Sequence, residues 1–327
     1  MGRTILDVRN LKTYFYTKSG VVRAVDGVSL SVKEREIVGL VGESGCGKSV
    51  TALSIMRLVP EPGKIVEGEI YFMDKNILFL TEEEIRKIRG KEMAMIFQNP
   101  SSSLNPVFTT GYQVAEPIML HLLKSKEEAS TLTTQLFNKV EISDPQRRTR
   151  EYPHQLSGGM KQRVMIAMAI SCKPKLLIAD EPTTALDVTV QAQIMNLIRD
   201  LRNDIGSAIL LITHDMGLVA ENCDRVAVMY AGKIVESAPV EEIFSEPKHP
   251  YTQLLLSSIP RPDRDIDKLT VIRGEVPDPI NPPQGCRFAP RCPYAMDICI
   301  QKYPEMLSIN DNHLVACHLY TNKSEDT

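Results

Sequence analysis

The strongest constraint on this 327-residue chain is an apolar run at 37–41. It ends in Gly42-Glu43-Ser44-Gly45-Cys46-Gly47-Lys48-Ser49 and passes into a helical run at 50–58. A strand, a G-x-x-x-x-G-K-S loop and a helix in this order predict a phosphate loop. The glycines let the backbone curl so that successive amides, from Ser44 through Gly47, point inward at phosphate oxygens, and the helix dipole adds to the attraction. Lys48 supplies positive charge to the β- and γ-phosphates, and Ser49 offers a hydroxyl to Mg²⁺. A plain glycine-rich strand-to-helix turn has no need of the Lys-Ser pair. Cys46 is expected to be a bystander in the loop, although neighbouring helix amides can lower a thiol pKa.

The other half of such a site is expected where an apolar strand ends in acid. Lys175-Leu176-Leu177-Ile178-Ala179-Asp180-Glu181 has that form. Asp180 is suited to hold Mg²⁺ through water, and Glu181 to orient and polarise the attacking water. An Asp-Glu pair at a strand end is by itself an ordinary solvated turn, and the phosphate loop is what gives it meaning.

Apolar runs at 37–41, 93–97, 176–179 and 208–212 suit strands covered on both faces. The fold class expected is α/β, a P-loop NTPase core with a mostly parallel sheet. Residues 5–16 and 21–32, rich in β-branched and aromatic side chains and broken at Lys18-Ser19-Gly20, predict an N-terminal antiparallel β subdomain. Residues 99–150 carry helical patterns, at 114–123 and 127–140, and no strand-like run, so a helical subdomain is expected there. Six prolines between 277 and 293 exclude a regular helix or central strand from that stretch.

Between the two halves lies Leu156-Ser157-Gly158-Gly159-Met160-Lys161-Gln162-Arg163. With Gln98 after Ile96-Phe97, Ala185-Leu186-Asp187 after the carboxylates, and His214 before Asp215, the chain closely resembles the ATP-binding-cassette (ABC) ATPases over about residues 5–236. Taken singly, Gln98 and His214 are ordinary polar residues at strand ends. The resemblance implies that the helix opened by Ser157, Gly158 and Gly159 closes over the γ-phosphate held by a second subunit, where its amides and dipole suit an anion. It implies that Gln98 serves Mg²⁺ or water and senses a transmembrane partner, that His214 contacts the γ-phosphate, and that Asp187 links two active sites. Phe15, five residues after Asn10 and flanked by Tyr14 and Tyr16, takes the place of the aromatic on which adenine stacks. Many cassettes have Thr where Val50 stands, and the backbone amide there is still available to the α-phosphate.

Within the family, Gly47-Lys48-Ser49-Val50, Lys248-His249-Pro250-Tyr251-Thr252-Gln253, Ser258-Ile259-Pro260 and the cysteine-rich end are similar to the dipeptide/oligopeptide and nickel importer ATPases. The division implied is a nucleotide-binding domain, 1–240, with its helical subdomain at about 99–165, and a C-terminal extension, 241–327. The expected cofactors are ATP and Mg²⁺. The partners are a second cassette subunit, identical or related, two transmembrane permease subunits, and indirectly an extracytoplasmic peptide-binding protein. The cargo is dipeptide, oligopeptide or nickel.

Four of the seven cysteines crowd into the extension as Cys286-x5-Cys292-x6-Cys299-x17-Cys317. Four thiolates suit tetrahedral zinc or an iron–sulfur cluster. The tight C-x₂₋₄-C pair of most zinc sites is missing, so a [4Fe-4S] cluster is expected ahead of zinc, with unmetallated thiols as the plain alternative. His313 and His318 are possible substitute ligands. A proline-rich segment with few apolar residues needs such a staple.

A rival class, a cassette acting on nucleic acid through a zinc module, meets the wrong charge. The whole chain carries 38 Lys and Arg against 41 Asp and Glu, and residues 241–327 carry nine against thirteen. No nucleic-acid partner is expected. Arg3, Asp7 and Arg9 interrupt the first residues, so no secretory signal is read there, and no apolar run approaches the about 20 residues that cross a bilayer. The expected location is the cytoplasmic face of a membrane, held peripherally.

Overall fold

The structure is a computed structural model that describes residues 2–184, 188–258, 272 and 274–323. The strands described are β1 (Thr4–Thr17), β2 (Gly20–Lys33), β3 (Ile37–Val41), β4 (Gly63–Phe72), β5 (Lys75–Asn76), β6 (Met93–Ile96), β7 (Leu176–Asp180), β8 (Ala208–Thr213), β9 (Arg225–Tyr230), β10 (Lys233–Pro239), β11 (Leu307–Asn310) and β12 (His313–Val315). The chain divides into two compact units. One comprises Met1–Leu6, Val32–Ile37 and Tyr71–Ile212, the other Asp7–Ser31, Val38–Ile70 and Thr213–Thr327.

In the first unit, β6, β7 and β8 run parallel in that order, with Met93 opposite Leu176 and Ile178 opposite Leu210. Every residue of these three strands is buried, which is why they are apolar on both faces. The stretch 99–150 is helical as its pattern predicts. Helices Thr110–Leu122 and Lys126–Lys139 share a small core of Ala115, Ile118 and Ala129, with Met119, Leu132 and Leu136 packed against it. Their starts are set locally. Thr109 accepts a hydrogen bond from the Tyr112 amide, and Ser125 forms a reciprocal capping box with Glu128. Helix Gly158–Ile170 buries Val164, Met165, Ile166 and Ala167 in succession, so it is a core helix with no solvated apolar–polar division.

In the second unit, β2, β1 and β4 lie side by side in that order, and β3 pairs in parallel with β9, Val38 opposite Arg225 and Val41 opposite Val228. The sheet is mixed, where a mostly parallel one was expected. From β9 the chain turns back into β10 through Ala231 and Gly232, both at positive φ (44° and 86°), the geometry of a tight hairpin whose twist matches its strands. β10 then pairs antiparallel with β12, and β12 with β11. The proline-rich stretch is irregular as expected, with only a short 3₁₀ turn at Ala289–Arg291.

The C-terminal strands are pinned by one charge cluster. Glu236 on β10 is fully buried and accepts hydrogen bonds from the backbone amides of Lys248 (2.6 Å) and His249 (2.9 Å). Its carboxylate meets His313 Nε2 at 2.7 Å, and His313 Nδ1 lies 3.0 Å from Glu242. Burial alone pushes the His313 pKa down, but the hydrogen bonds and charges of the two carboxylates outweigh it and hold the imidazole above its ordinary value. Burial likewise pushes Glu236 up, and hydrogen bonds from His313 and the two amides outweigh it, leaving the carboxyl below its ordinary value. His313 therefore contributes stability that is complete below about pH 6.5 and is lost as pH rises through its raised value. Glu236 contributes stability that is complete above about pH 4.3 and is lost as pH falls through its lowered value. His313→Gln should lower the melting temperature near pH 6, in line with the about 3–5 kcal/mol cost of breaking a buried pair, and flatten the alkaline decline expected of the parent. Thermal melts from pH 5 to 9 on both proteins check this; parallel curves would sink it.

Candidate functional site

The phosphate loop belongs to the second unit. Five wholly buried residues of β3 deliver the chain into it, and helix Lys48–Ile55 leaves it with Gly47 at the N-cap, where no side chain caps the helix. Gly42 has φ 153°, and a Cβ there would lie 2.1 Å from the Met229 carbonyl oxygen. Gly47 has φ 108°, and a Cβ would lie 2.2 Å from the Ala24 carbonyl oxygen. Both positions require glycine because neighbouring backbone presses on the loop. Lys48 is 5% exposed and curls back over the loop, its Nζ donating to the carbonyls of Gly42 (2.8 Å) and Glu43 (3.1 Å). Ser44 and Gly45 are exposed at the tip, and Ser49 and Val50 are half-buried in the first helical turn. Burial pushes the Cys46 thiol pKa up, so the lowering by helix amides does not win and the residue is a packed, neutral thiol.

The acidic end belongs to the first unit. β7 ends at Asp180, which is buried, and Glu181 follows in a left-handed conformation with φ 46°. Such backbone on a residue other than glycine is strained and concentrates at functional sites. The Glu181 amide donates to the Ile212 carbonyl at 2.8 Å. One carboxylate oxygen, Oε2, accepts from Gln98 Nε2 at 2.7 Å and from the Thr184 hydroxyl at 2.9 Å. Gln98 and Glu181 are thus brought together from 83 residues apart. A carboxylate held this way is aimed, as a group that orients water must be.

Ser157 caps helix Gly158–Ile170, its hydroxyl accepting from the Met160 amide at 3.3 Å. Ser157 and Gly158 are exposed, and a Cβ on Gly158 would meet nothing within 4 Å, so this helix start is open to an approaching group. From the same helix, Gln162 donates to the Pro182 carbonyl at 2.7 Å, one residue past Glu181. His214 is exposed at the end of β8. Asp187 lies outside the described residues. Of the three aromatics on β1, Tyr14 is committed to Asp26 by a 2.7 Å hydrogen bond, Tyr16 is 49% exposed, and Phe15 is half-buried against Gly63.

The metal site expected at the four cysteines is not formed as a ligand group. Among the described residues no three His, Cys, Asp or Glu are arranged to hold a metal ion. Burial pushes the Cys286 and Cys292 thiols up, and Cys317 to about 11. All four cysteines are free and line one cavity, together with His249 and His318. His313 is not part of it, being engaged by Glu236 and Glu242.

Several supporting side chains were given no role by the sequence, although Gln162 and Tyr251 lie within quoted motifs. Thr184 and Gln162 steady the Glu181 turn, the Tyr251 hydroxyl accepts from the Glu43 amide at 2.9 Å, and Arg291 pairs with the Glu43 carboxylate. Tyr251 and Arg291 stand 208 and 248 residues from their partner. Only the resemblance that singled out 248–253 touched either of them.

Comparison with known proteins agrees with this geometry. Residues 25–184 match the ABC transporter family, and residues 235–299 match the oligopeptide/dipeptide transporter C-terminal region. The oligopeptide transport ATP-binding protein AppD of Bacillus subtilis is 54% identical over 318 residues, 97% of either chain. The dipeptide transport ATP-binding protein DppD of the same organism is 48% identical, covering 98% of this chain and 96% of its own. The ADP- and phosphate-bound dimer of the ATP-binding cassette MJ0796 superposes with a TM-score of 0.66 at 29% identity, covering 72% of this chain and 98% of that one. The chain belongs to the ABC transporter ATPases, in the group that carries the oligopeptide/dipeptide C-terminal region, and it is an ATP-hydrolysing enzyme.

The two loop glycines allow a graded test. Gly47→Ala combines a left-handed φ with a backbone clash, whereas Gly45→Ala, with φ 77° and nothing within 4 Å, carries only the about 1–2 kcal/mol of left-handed backbone. Titration with MgATP should show binding lost in Gly47→Ala and weakened less than tenfold in Gly45→Ala. Equal losses would mean that the loop is not held by the Ala24 carbonyl.

Proposed function

We propose that this chain powers uptake of dipeptides or oligopeptides as the ATPase subunit of an importer whose permease subunits are separate chains. The observation that carries the cargo is the match of residues 235–299 to the oligopeptide/dipeptide transporter C-terminal region, supported by relatives named for oligopeptide and dipeptide transport. Among the described residues no helix is long and apolar enough to cross a membrane, which fits a subunit docked on the cytoplasmic face of permeases. A docking surface is suggested in the first unit, where Val107, Phe108, Tyr112, Leu120 and Leu123 are exposed and Tyr112, stacked on Phe108, also lines a groove of about 650 Å³ with Met119 and Arg150.

In this reading Lys48 and the amides of residues 44–50 hold the phosphates of ATP, and Ser49, Asp180 and Gln98 hold Mg²⁺. Glu181 orients and polarises the attacking water, with Gln98 and Thr184 fixing the carboxylate that does so. His214 touches the γ-phosphate, and Phe15 stacks on adenine. The open helix start at Ser157, Gly158 and Gly159 serves the nucleotide of a second cassette subunit, and Asp187 links the paired sites.

The four-cysteine cavity is assigned a structural [4Fe-4S] cluster. Four free thiols on one cavity suit a thiolate-bound group, and the buried His318 Nδ1 beside them has no hydrogen-bond partner. Zinc held by the same four thiolates, at about 2.3 Å from each sulfur, is the alternative occupant. Bound, the cluster would supply cross-linking in place of a hydrophobic core.

Glu181→Gln keeps size and hydrogen bonding but not the carboxylate. ATP-dependent dimerisation should persist while phosphate release falls by about 10²-fold or more. Near-normal turnover would place the water-orienting group elsewhere. Protein purified without oxygen should carry iron and acid-labile sulfide, and each single Cys→Ser change at 286, 292, 299 or 317 should lower both and destabilise the surrounding segment. Stoichiometric zinc without sulfide would overturn the cluster.

A further inference from the structure

The phosphate loop contains one acidic residue, Glu43, and it lies where a polyanion has to bind. Its carboxylate is met by both ends of a guanidinium: Arg291 Nη1 donates to Oε2 at 2.7 Å and Nη2 to Oε1 at 3.1 Å. Arg291 is 5% exposed along its side chain and also donates to the Tyr230 hydroxyl at 3.2 Å and the Ile272 carbonyl at 3.3 Å. A second contact holds the same loop residue, the Tyr251 hydroxyl on the Glu43 amide. Beneath them Tyr230, Tyr251 and Phe288 pack ring against ring, with centroids 4.6, 5.2 and 5.4 Å apart, and all three are fully buried. Backbone from the same C-terminal segment borders the loop tip. Pro277 and Pro279 line a cavity of about 230 Å³ with Arg23, Ser44 and Gly45, and the Pro279 carbonyl accepts from the Arg23 amide at 3.0 Å.

We propose that Arg291 is a positioning residue for ATP, and that the C-terminal segment acts on nucleotide binding through it. The bidentate pair does two things. It fixes the second residue of the loop in register with β9, and it cancels a negative charge that would otherwise repel the incoming phosphates. A bidentate guanidinium on a rigid aromatic base gives both at once, and a lysine gives the charge without the fork. The inference rests on the assignment of residues 42–49 to ATP.

The sign of the effect separates this role from plain support of the fold. In the full chain, Arg291→Ala leaves a bare carboxylate beside the phosphates and should raise the dissociation constant for MgATP about tenfold, equivalent to about 1.4 kcal/mol. The KM for ATP should rise with it while kcat at saturating ATP stays within about twofold. Glu43→Gln removes the charge and should cost less than threefold. The double variant Arg291→Ala/Glu43→Gln should return to the Glu43→Gln value, a rescue that lost packing at Arg291 would not show. Should Arg291→Ala not fold, Arg291→Lys and Arg291→Gln give the same contrast, Lys between the parent and Gln, and Gln weakened until Glu43→Gln is added. Unchanged affinity in the Arg291 variants, or a double variant no better than the single, would overturn the proposal. Lys48→Ala, run alongside, tests the underlying assignment by itself, since equal MgATP binding by Lys48→Ala and the parent would remove ATP from this loop altogether.

Discussion

Binding a polyphosphate through backbone amides demands that the backbone be held in a ring-like curl before the anion arrives. The loop at 42–49 meets that demand mainly from outside itself. The Met229 carbonyl presses at Gly42, the Ala24 carbonyl presses at Gly47, and the Gly232 amide donates to the Cys46 carbonyl at 2.8 Å. These neighbours sit on β2, β9 and the turn that follows β9. The hairpin geometry of Ala231 and Gly232 is therefore a requirement of the phosphate site as much as a way of joining two strands.

Strands β3, β6, β7 and β8 were legible in the sequence because burial on both faces leaves apolar runs that cannot be mistaken for solvated structure. The helical pattern at 99–150 was legible for the complementary reason, since its helices keep one polar side. β4 was not, because Gly63 to Phe72 mixes lysine, glutamate and glycine with apolar residues and is half exposed. β11, Leu307-Ser308-Ile309-Asn310, alternates apolar and polar over only four residues, three of them exposed, so it is too short to be read from pattern and exists by pairing with β12. Antiparallel pairing of β10 with β12 joins residues about eighty apart and leaves no local trace.

The chemistry-bearing residues were legible as motifs, and their supporting partners were not. Glu181 announces itself by following Asp180 at a strand end, but neither its left-handed backbone nor the shared grip of Gln98 and Thr184 on one carboxylate oxygen follows from spacing. The four cysteines were visible by their crowding, yet their thiols line a cavity without converging as ligands of a single ion. Motifs mark what touches phosphate or water. What holds those groups still comes from side chains selected only by three-dimensional proximity.

The pair between Glu43 and Arg291 spans 248 residues, and that distance has a consequence in time. A ribosome adds about 5–20 residues each second, so the loop is made some 12–50 s before its arginine. Through that interval β3 and the glycine-rich turn exist on the nascent chain with Glu43 uncompensated. The last fifth of the polypeptide is thus the part that completes a feature encoded near its beginning, and a chain cut short before Arg291 would carry every phosphate-loop residue while lacking the side chain that neutralises their one acid.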